Sequence, residues 1–383
     1  MEKYKVIYRD GVKEYLSSCK KIISHYDELI IFGASKTGEN VFSFLKGIGA
    51  VEKVKMVVDN DEKKHNMRFH SFCIKSRMVM KEYLKNNDAL VIIASGSAHI
   101  IMKQLTEEGV SAEKMMSFPF GFLQLNPTAY EVLVKNKDKI DYICGELNDG
   151  KSKLVFTTLL NFKMSRELSL LKNIADEENQ QYFGDGFFSL DKDEHIIDCG
   201  AYIGDTLDNF YSQNVIWEKY YCIEADPDVF ERLKKHVEEI KAPNTELFLF
   251  ACWNGDGLVP FKSSNSEVSR IVDDESASKI VSRKLDSVFV DKNITFIKMD
   301  IEGAELKAIQ GGLDVINAQR PIMAISIYHS LNDFIDIPFF LMNELSDYKY
   351  YIRHYRSLSD SETVFYAIPE ERNNEYINSN FKS

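Results

Sequence analysis

The chain has 383 residues, enough for two domains with real hydrophobic cores, which argues against a small scaffold stapled by disulfides or metals. Its 47 Lys and Arg against 59 Asp and Glu leave a net charge of −12, which repels nucleic-acid backbones and anionic membranes and argues against a dedicated nucleic-acid binder. With 44% hydrophobic residues, 28% charged residues and 8 Pro, the composition is that of an ordinary globular protein and not of a disordered or fibrous one.

The amino terminus, MEKYKVIYRDG, has no apolar signal core, and no stretch approaches about 18 uncharged apolar residues, so the expected location is the cytoplasm with no membrane span. The six cysteines are scattered singly without a CxxC pair, as expected of buried reduced thiols. In chain order, a helical lead around Tyr15 to His25 is followed by the apolar run ELIIFGAS and then KTGENVFSFLKGIG, where Val41, Phe42 and Leu45 have helical spacing. Further strands are expected at VKMVVDND (Val54 to Asp61) and ALVIIASG (Ala89 to Gly96). Strand, glycine turn, helix, strand, helix, strand implies a parallel sheet, read as a Rossmann-like domain over residues 1–120. Its GASKTG turn (Gly33 to Gly38) faces the position of a phosphate, and Asp59 to Asp61 end the next strand where a ribose contact is expected. A nucleotide-sugar module and an interaction domain without a ligand both fit.

Residues 121–193 are read as a helical connector, with helices at Tyr130 to Ile143 and Ser152 to Ala175, and residues 194–370 as the second domain. That domain offers seven strand candidates: HIIDCG, YYCIEAD, ELFLFACW, ITFIKMD, PIMAISIY, YKYYIRHY and TVFYAIP. Only Arg356 to Glu362 separates the last two, so they should form an antiparallel hairpin on a mostly parallel sheet. Residues 371–383 read as a polar tail.

The sharpest motif runs from Asp198 through Gly200, Ala201, Tyr202 and Gly204 to Asp205 and Thr206, where a strand turns into a helix. The glycines permit a tight turn and close approach of a ligand, and the helix start offers free N–H groups to an anionic group such as a carboxylate. Twenty residues beyond Gly204, Glu224 ends the second strand beside Ala225, where its carboxylate can accept from ribose hydroxyls. Such a nucleoside pocket serves dinucleotides and S-adenosylmethionine alike. The glycines frame GxYxG and not GxGxxG, which leaves less room for a pyrophosphate, and none of the 19 Tyr has a Lys four residues later, as short-chain dehydrogenases and epimerases require.

A second motif, Lys298-Met299-Asp300-Ile301-Glu302-Gly303-Ala304-Glu305, should emerge at the carboxyl end of its strand, where ligands of open parallel sheets lie. Capping of the following helix accounts for Glu305. Asp300 is read as functional.

From Gln181 to Pro369 the chain resembles the FkbM family of S-adenosylmethionine-dependent methyltransferases, through IIDCGAYIGDT, IEADP, RKLDS, IKMDIEGAELKAIQGG and PIMAISIYH. The resemblance implies a class I methyltransferase fold with a seven-stranded sheet, and O-methylation of a sugar, nucleotide sugar or glycan hydroxyl in polysaccharide biosynthesis. It also implies Gly200, Tyr202 and Gly204 at the methionine end, Glu224 on the ribose and Asp300 at the edge of the active site. Trp253 could stack on the adenine. Candidate proton acceptors are Asp300, Glu302 and His329, the last expected to be mostly neutral at pH 7. Metal-ligand spacing among His and Cys is absent, so no metal is assigned, although Asp300 with Glu302 could supply two oxygens to a magnesium ion. The expected cofactor is S-adenosylmethionine, and a homodimer is possible. The alternatives are a nucleotide-sugar oxidoreductase or epimerase using the amino-terminal turn, and a non-catalytic scaffold in glycan assembly.

Overall fold

Runs such as Glu28–Phe32 and Ala89–Ile93 are apolar along nearly their whole length, and each becomes a strand buried on both faces, as a helix-covered parallel sheet requires. The computed structural model describes residues 4–95, 98–117, 129–165, 167–183, 186–263, 269–274, 276–357 and 359–374. The expected strand limit at Gly96, the expected domain boundary between residues 120 and 121 and the tail from residue 375 lie outside the described residues. The chain divides into two compact units: Tyr8–Val132 with Lys163–Arg166, and Met1–Ile7 with Leu133–Phe162 and Glu167–Ser383.

In the first unit, β1 (Glu28–Phe32), β2 (Val54–Val58), β3 (Arg68–Phe69), β4 (Phe72–Lys75), β5 (Ala89–Ile93) and β6 (Met115–Ser117) form one sheet in the order β3-β4-β2-β1-β5-β6. All pairings are parallel except β3 with β4. Leu29 and Ile31 join the core on one face with Val41 and Leu45 of the helix Lys36–Gly47, while Ile30 and Phe32 join the core on the other. The sequence reading missed β3, β4 and β6, which are two to four residues long and too short to show a period.

The second unit is built on β7 (His195–Cys199), β8 (Lys219–Glu224), β9 (Thr245–Leu249), β10 (Ala251–Cys252), β11 (Gly257–Lys262), β12 (Arg270–Ile271), β13 (Ser278–Arg283), β14 (Phe296–Met299), β15 (Ile322–Ser326), β16 (Tyr348–His354) and β17 (Thr363–Pro369). Seven of these form the main sheet, ordered β16-β17-β15-β14-β7-β8-β9. The hairpin expected at the end exists, and its second strand, β17, inserts antiparallel between β15 and β16. One expectation is corrected: ELFLFACW is not a single strand. It breaks after Leu249, and β10 joins a separate four-stranded sheet, β10-β13-β11-β12.

The segments after Leu133 pack on this unit. The helix Gly150–Ser165 stacks Phe156 on Phe334 with centroids 5.3 Å apart, and Leu147 and Ala175 bridge to the β16 backbone at Tyr350 and His354. The polar anchor is Arg353, 3% exposed at the side chain, whose Nη2 lies 2.6 Å from Asp149 Oδ2 and whose Nη1 donates to Ser152 Oγ at 2.9 Å. Burial alone would raise the Asp149 carboxyl, but Arg353 and Ser152 outweigh it and hold it below its ordinary value. Removing one partner strands a buried guanidinium, so Asp149→Ala should cost about 3 kcal/mol in urea unfolding. Because the folded carboxyl is depressed, the pair stabilises fully above the unfolded pKa of about 4 and is lost as pH falls through the folded value. The variant should therefore show a shallower acid dependence than the native chain.

Candidate functional site

Register places the first elements of the site. In the β7–β14 ladder, Lys298 lies opposite Asp198, and its Nζ is 2.8 Å from Asp198 Oδ1 and donates to the Gly200 carbonyl at 2.7 Å. Asp198 is fully buried and also accepts from Tyr220 Oη at 3.0 Å. Burial works against the Lys298 charge, yet Asp198 and the nearby Asp300 overcome it and keep the ammonium firmly protonated.

Beyond β7, the backbone folds under the end of β14. A Cβ on Gly200, whose φ is +81°, would sit 1.8 Å from the Asp300 carbonyl oxygen, so only glycine fits. Gly204 caps the helix Asp205–Ser212 at φ +95°, a left-handed conformation that turns the chain into the helix. Glu224 stitches the turn from the next strand. Its Oε2 accepts from Tyr202 N at 3.0 Å, and its Oε1 accepts from Ala225 N and Asp226 N at 2.7 Å each. Burial raises the Glu224 carboxyl against these three donors. Two N–H groups use the lone pairs of Oε1, which leaves the second lone pair of Oε2 for a ligand.

The turn opens on a cavity of about 500 Å³. Gly200, Tyr202, Asp205, Thr206, Glu224 and Ala225 line one end, with Phe250, Cys252, Phe261 and Ile271 as an apolar flank. Asp300, Glu302, Tyr328, His329 and Glu362 line the other end. There, His329 Nε2 is 3.2 Å from Asp300 Oδ1 and 3.5 Å from Glu302 Oε1, and its Nδ1 is 3.1 Å from Glu305 Oε1. Tyr328 Oη donates to Asp300 Oδ2 at 3.0 Å.

Among the sequence-derived candidates, Asp198, Ala201, Gly204 and Trp253 are not on the cavity wall. Asp198 and Ala201 are fully buried beneath the turn, and Gly204 faces His236 of the helix Pro227–Ile240. The Trp253 carbonyl would lie 2.1 Å from a Cβ on Gly311, which explains the glycine there. Phe250, Phe261 and Ile271 form the apolar flank instead; they come from irregular links and short strands with no sequence period. The neutral state expected for His329 is corrected as well. Burial works to lower its pKa, but Asp300, Glu302 and Glu305 raise it to about 12, so the imidazole carries a proton at pH 7. Asp300, which burial alone would raise, is held below its ordinary value by His329. Residues unassigned from sequence, Gln181, Tyr182 and Glu362, also line the cavity. Gln181 donates to Glu362 Oε2 at 3.0 Å.

In the amino-terminal unit, the acid expected to meet a ribose is already engaged. Asp59 accepts from Ala34 N and Asp61 N, both at 2.9 Å, and pairs with Lys64 at 3.0 Å.

Residues 198–353 match the family model of the methyltransferase FkbM domain, and the matched span holds both the glycine turn and the acidic cluster. Over those residues the chain is similar to the methyltransferase FkbM domain. A methyltransferase FkbM from Methylobacillus flagellatus KT shares its fold at a TM-score of 0.68 and 20% identity, covering 92% of this chain and 93% of that one. An rRNA methylase from Streptococcus thermophilus, at 15% identity over 46% of this chain and 87% of that one, and Aeropyrum pernix fibrillarin, at 12% over 52% and 73%, have TM-scores of 0.31 and 0.30, too low to carry an argument. No curated protein matches the chain in sequence. No helix among the described residues is long and apolar enough to cross a membrane.

The pair beneath the FkbM-like domain's turn can be tested apart from catalysis. Lys298→Met leaves Asp198 charged and alone in the core and should cost about 3 to 5 kcal/mol in denaturant unfolding, whereas Lys298→Met with Asp198→Asn should recover part of that loss.

Proposed function

We propose that the FkbM-like domain transfers the methyl group of S-adenosylmethionine to a hydroxyl oxygen of a sugar, nucleotide sugar or glycan. The observation that carries this reading is a single cavity joining the Gly200–Thr206 turn and Glu224 to the polar cluster around Asp300. A donor with its carboxylate at the start of the helix Asp205–Ser212, a ribose hydroxyl on Glu224 Oε2 and its adenine against Phe250 and Phe261 would direct the sulfonium toward that cluster. The acids Glu178, Asp205, Glu224, Asp300, Glu302 and Glu362 outnumber the cationic lining residues Arg270, Lys298, Arg356 and His329, an excess that suits a cationic donor. The amino-terminal unit enters this reading as an interaction module, because the carboxylate at its turn is occupied within the chain.

Methyl transfer is an in-line displacement at a sulfonium. Oxygen forms a bond to the methyl carbon, the sulfur keeps the electron pair of the breaking bond, and the hydroxyl proton leaves to a base. Positioning supplies much of the acceleration. His329 is already protonated, which leaves the base role to a carboxylate. Glu362 is the strongest candidate because burial raises its carboxyl above the ordinary value.

Two measurements test the reading. Glu224→Ala should weaken S-adenosylmethionine binding by about 1.5 to 3 kcal/mol in calorimetry, and unchanged affinity in a folded variant would remove the ribose assignment. With labelled donor and a panel of neutral sugars, nucleotide sugars and glycans, Glu362→Gln should lower kcat by about 10² to 10⁴ with donor affinity little changed. The acidic limb of the native rate profile should lie above an ordinary glutamate's pKa of about 4.3, because activity needs the raised carboxyl ionised. Full activity of the variant would assign the proton to another group.

A further inference from the structure

We propose that Asp300, Glu302 and His329 bind one divalent cation, Mn²⁺ or Mg²⁺, at the acceptor end of the cavity, the ion taking the place of the His329 Nε2 proton, which is released to solvent. One donor atom from each residue lies within 4.8 Å of the others. The imidazole Nε2 is 3.2 Å from the Asp300 oxygen and 3.5 Å from the Glu302 oxygen. Adjacent ligands of an octahedral ion with bonds of about 2.1 Å are about 3.0 Å apart, so small side-chain movements would close the set on one face of the ion. The remaining positions would look into the cavity.

The imidazole is the observation that separates this cluster from an ordinary group of acids. The His329 side chain is 92% buried (8% exposed), yet neither ring nitrogen has a partner in line for a hydrogen bond among the described residues. The groups around it resemble the supports of a metal ligand. Glu305, fully buried and fixed by the Ile301 N–H at 2.8 Å, stands 3.1 Å from Nδ1 and would hold the ring with Nε2 toward the two carboxylates. Tyr328 Oη reaches both Asp300 oxygens, at 3.0 Å to Oδ2 and 3.3 Å to Oδ1, and so fixes the carboxylate whose Oδ1 also faces the ring. One imidazole with two carboxylates suits Mn²⁺ or Mg²⁺ better than the sulfur-rich or imidazole-rich sets that select zinc or copper.

Cation binding does not depend on the methyl-transfer reading. A further step does rest on it: the open positions would take two adjacent hydroxyls of a polyol acceptor and lower the pKa of the one to be methylated.

The test uses the full-length protein, stripped with a chelator and titrated with MnCl₂ while free Mn²⁺ is followed by electron paramagnetic resonance. One site per chain is expected, competed by MgCl₂. Asp300→Asn, His329→Gln and Glu302→Gln should each weaken binding at least about tenfold, and Glu305→Gln should weaken it less while keeping one site. Circular dichroism and S-adenosylmethionine binding report whether each variant folds; Glu302, the most exposed of the three ligands, provides a variant least prone to unfold. No Mn²⁺ binding by the native chain, or binding that every substitution leaves unchanged, overturns the site. If methyl transfer proceeds in chelator without Mn²⁺ binding, the cation site fails and the methyltransferase reading stands. If Mn²⁺ binds as expected and no acceptor is methylated, the site stands and that reading fails.

Discussion

The buried contact between β7 and β14 is the constraint on which the rest of the site depends. Parallel pairing puts Lys298 beside Asp198, and one residue beyond the ladder the Asp300 carbonyl comes so close to Gly200 that no side chain is tolerated there. The ammonium also holds the Gly200 carbonyl, so the same cation neutralises a buried acid and pins the turn. A charge this deep is tolerable only when paired and hydrogen-bonded. That requirement fixes the spacing between the glycine turn on one strand and the acidic cluster on the next.

Around that frame, the acids in and behind the cavity divide into three kinds. Glu224 and Asp226 are tied to backbone N–H groups, one bracing the turn and the other capping the helix Pro227–Ile240. Asp300, Glu302 and Glu305 are gathered on the His329 ring, which compensates their charge and accounts for its protonation. Glu362 lies outside that group, neighboured by Gln181, and burial moves it in the opposite direction from Asp300. Environment and not residue type separates the carboxylates into bracing, charge-compensated and burial-raised groups.

The break of the third strand after Leu249 has a functional consequence. By leaving the main sheet, Ala251 and Cys252 open its edge, and the small sheet β10-β13-β11-β12 brings Phe261 and Ile271 to the flank of the cavity. An apolar wall of the cavity is thus assembled from a segment that is neither a crossover helix nor a strand of the central sheet.

Much of this was legible in the chain. The seven apolar runs marked the main sheet because strands buried on both faces need no alternation. GxYxG followed by Glu224 marked residues that do line one cavity, because a close backbone approach needs glycine and a strand-end carboxylate lies at the open end of the sheet. The Asp300 motif was legible because ligands of open sheets lie at the carboxyl ends of strands. Position along the chain did not reveal which motif residues face the cavity: Asp198, Ala201 and Gly204 belong to the turn and support it from behind, as only the packing of Lys298, Tyr220 and His236 shows. Nor could it reveal that His329 is charged, since that depends on three carboxylates converging from Asp300, Glu302 and Glu305 across a loop. Local sequence sets which backbone conformations are affordable at a glycine or a strand end, whereas the protonation and orientation of a buried side chain depend on neighbours brought together by the fold, and those only the tertiary structure decided.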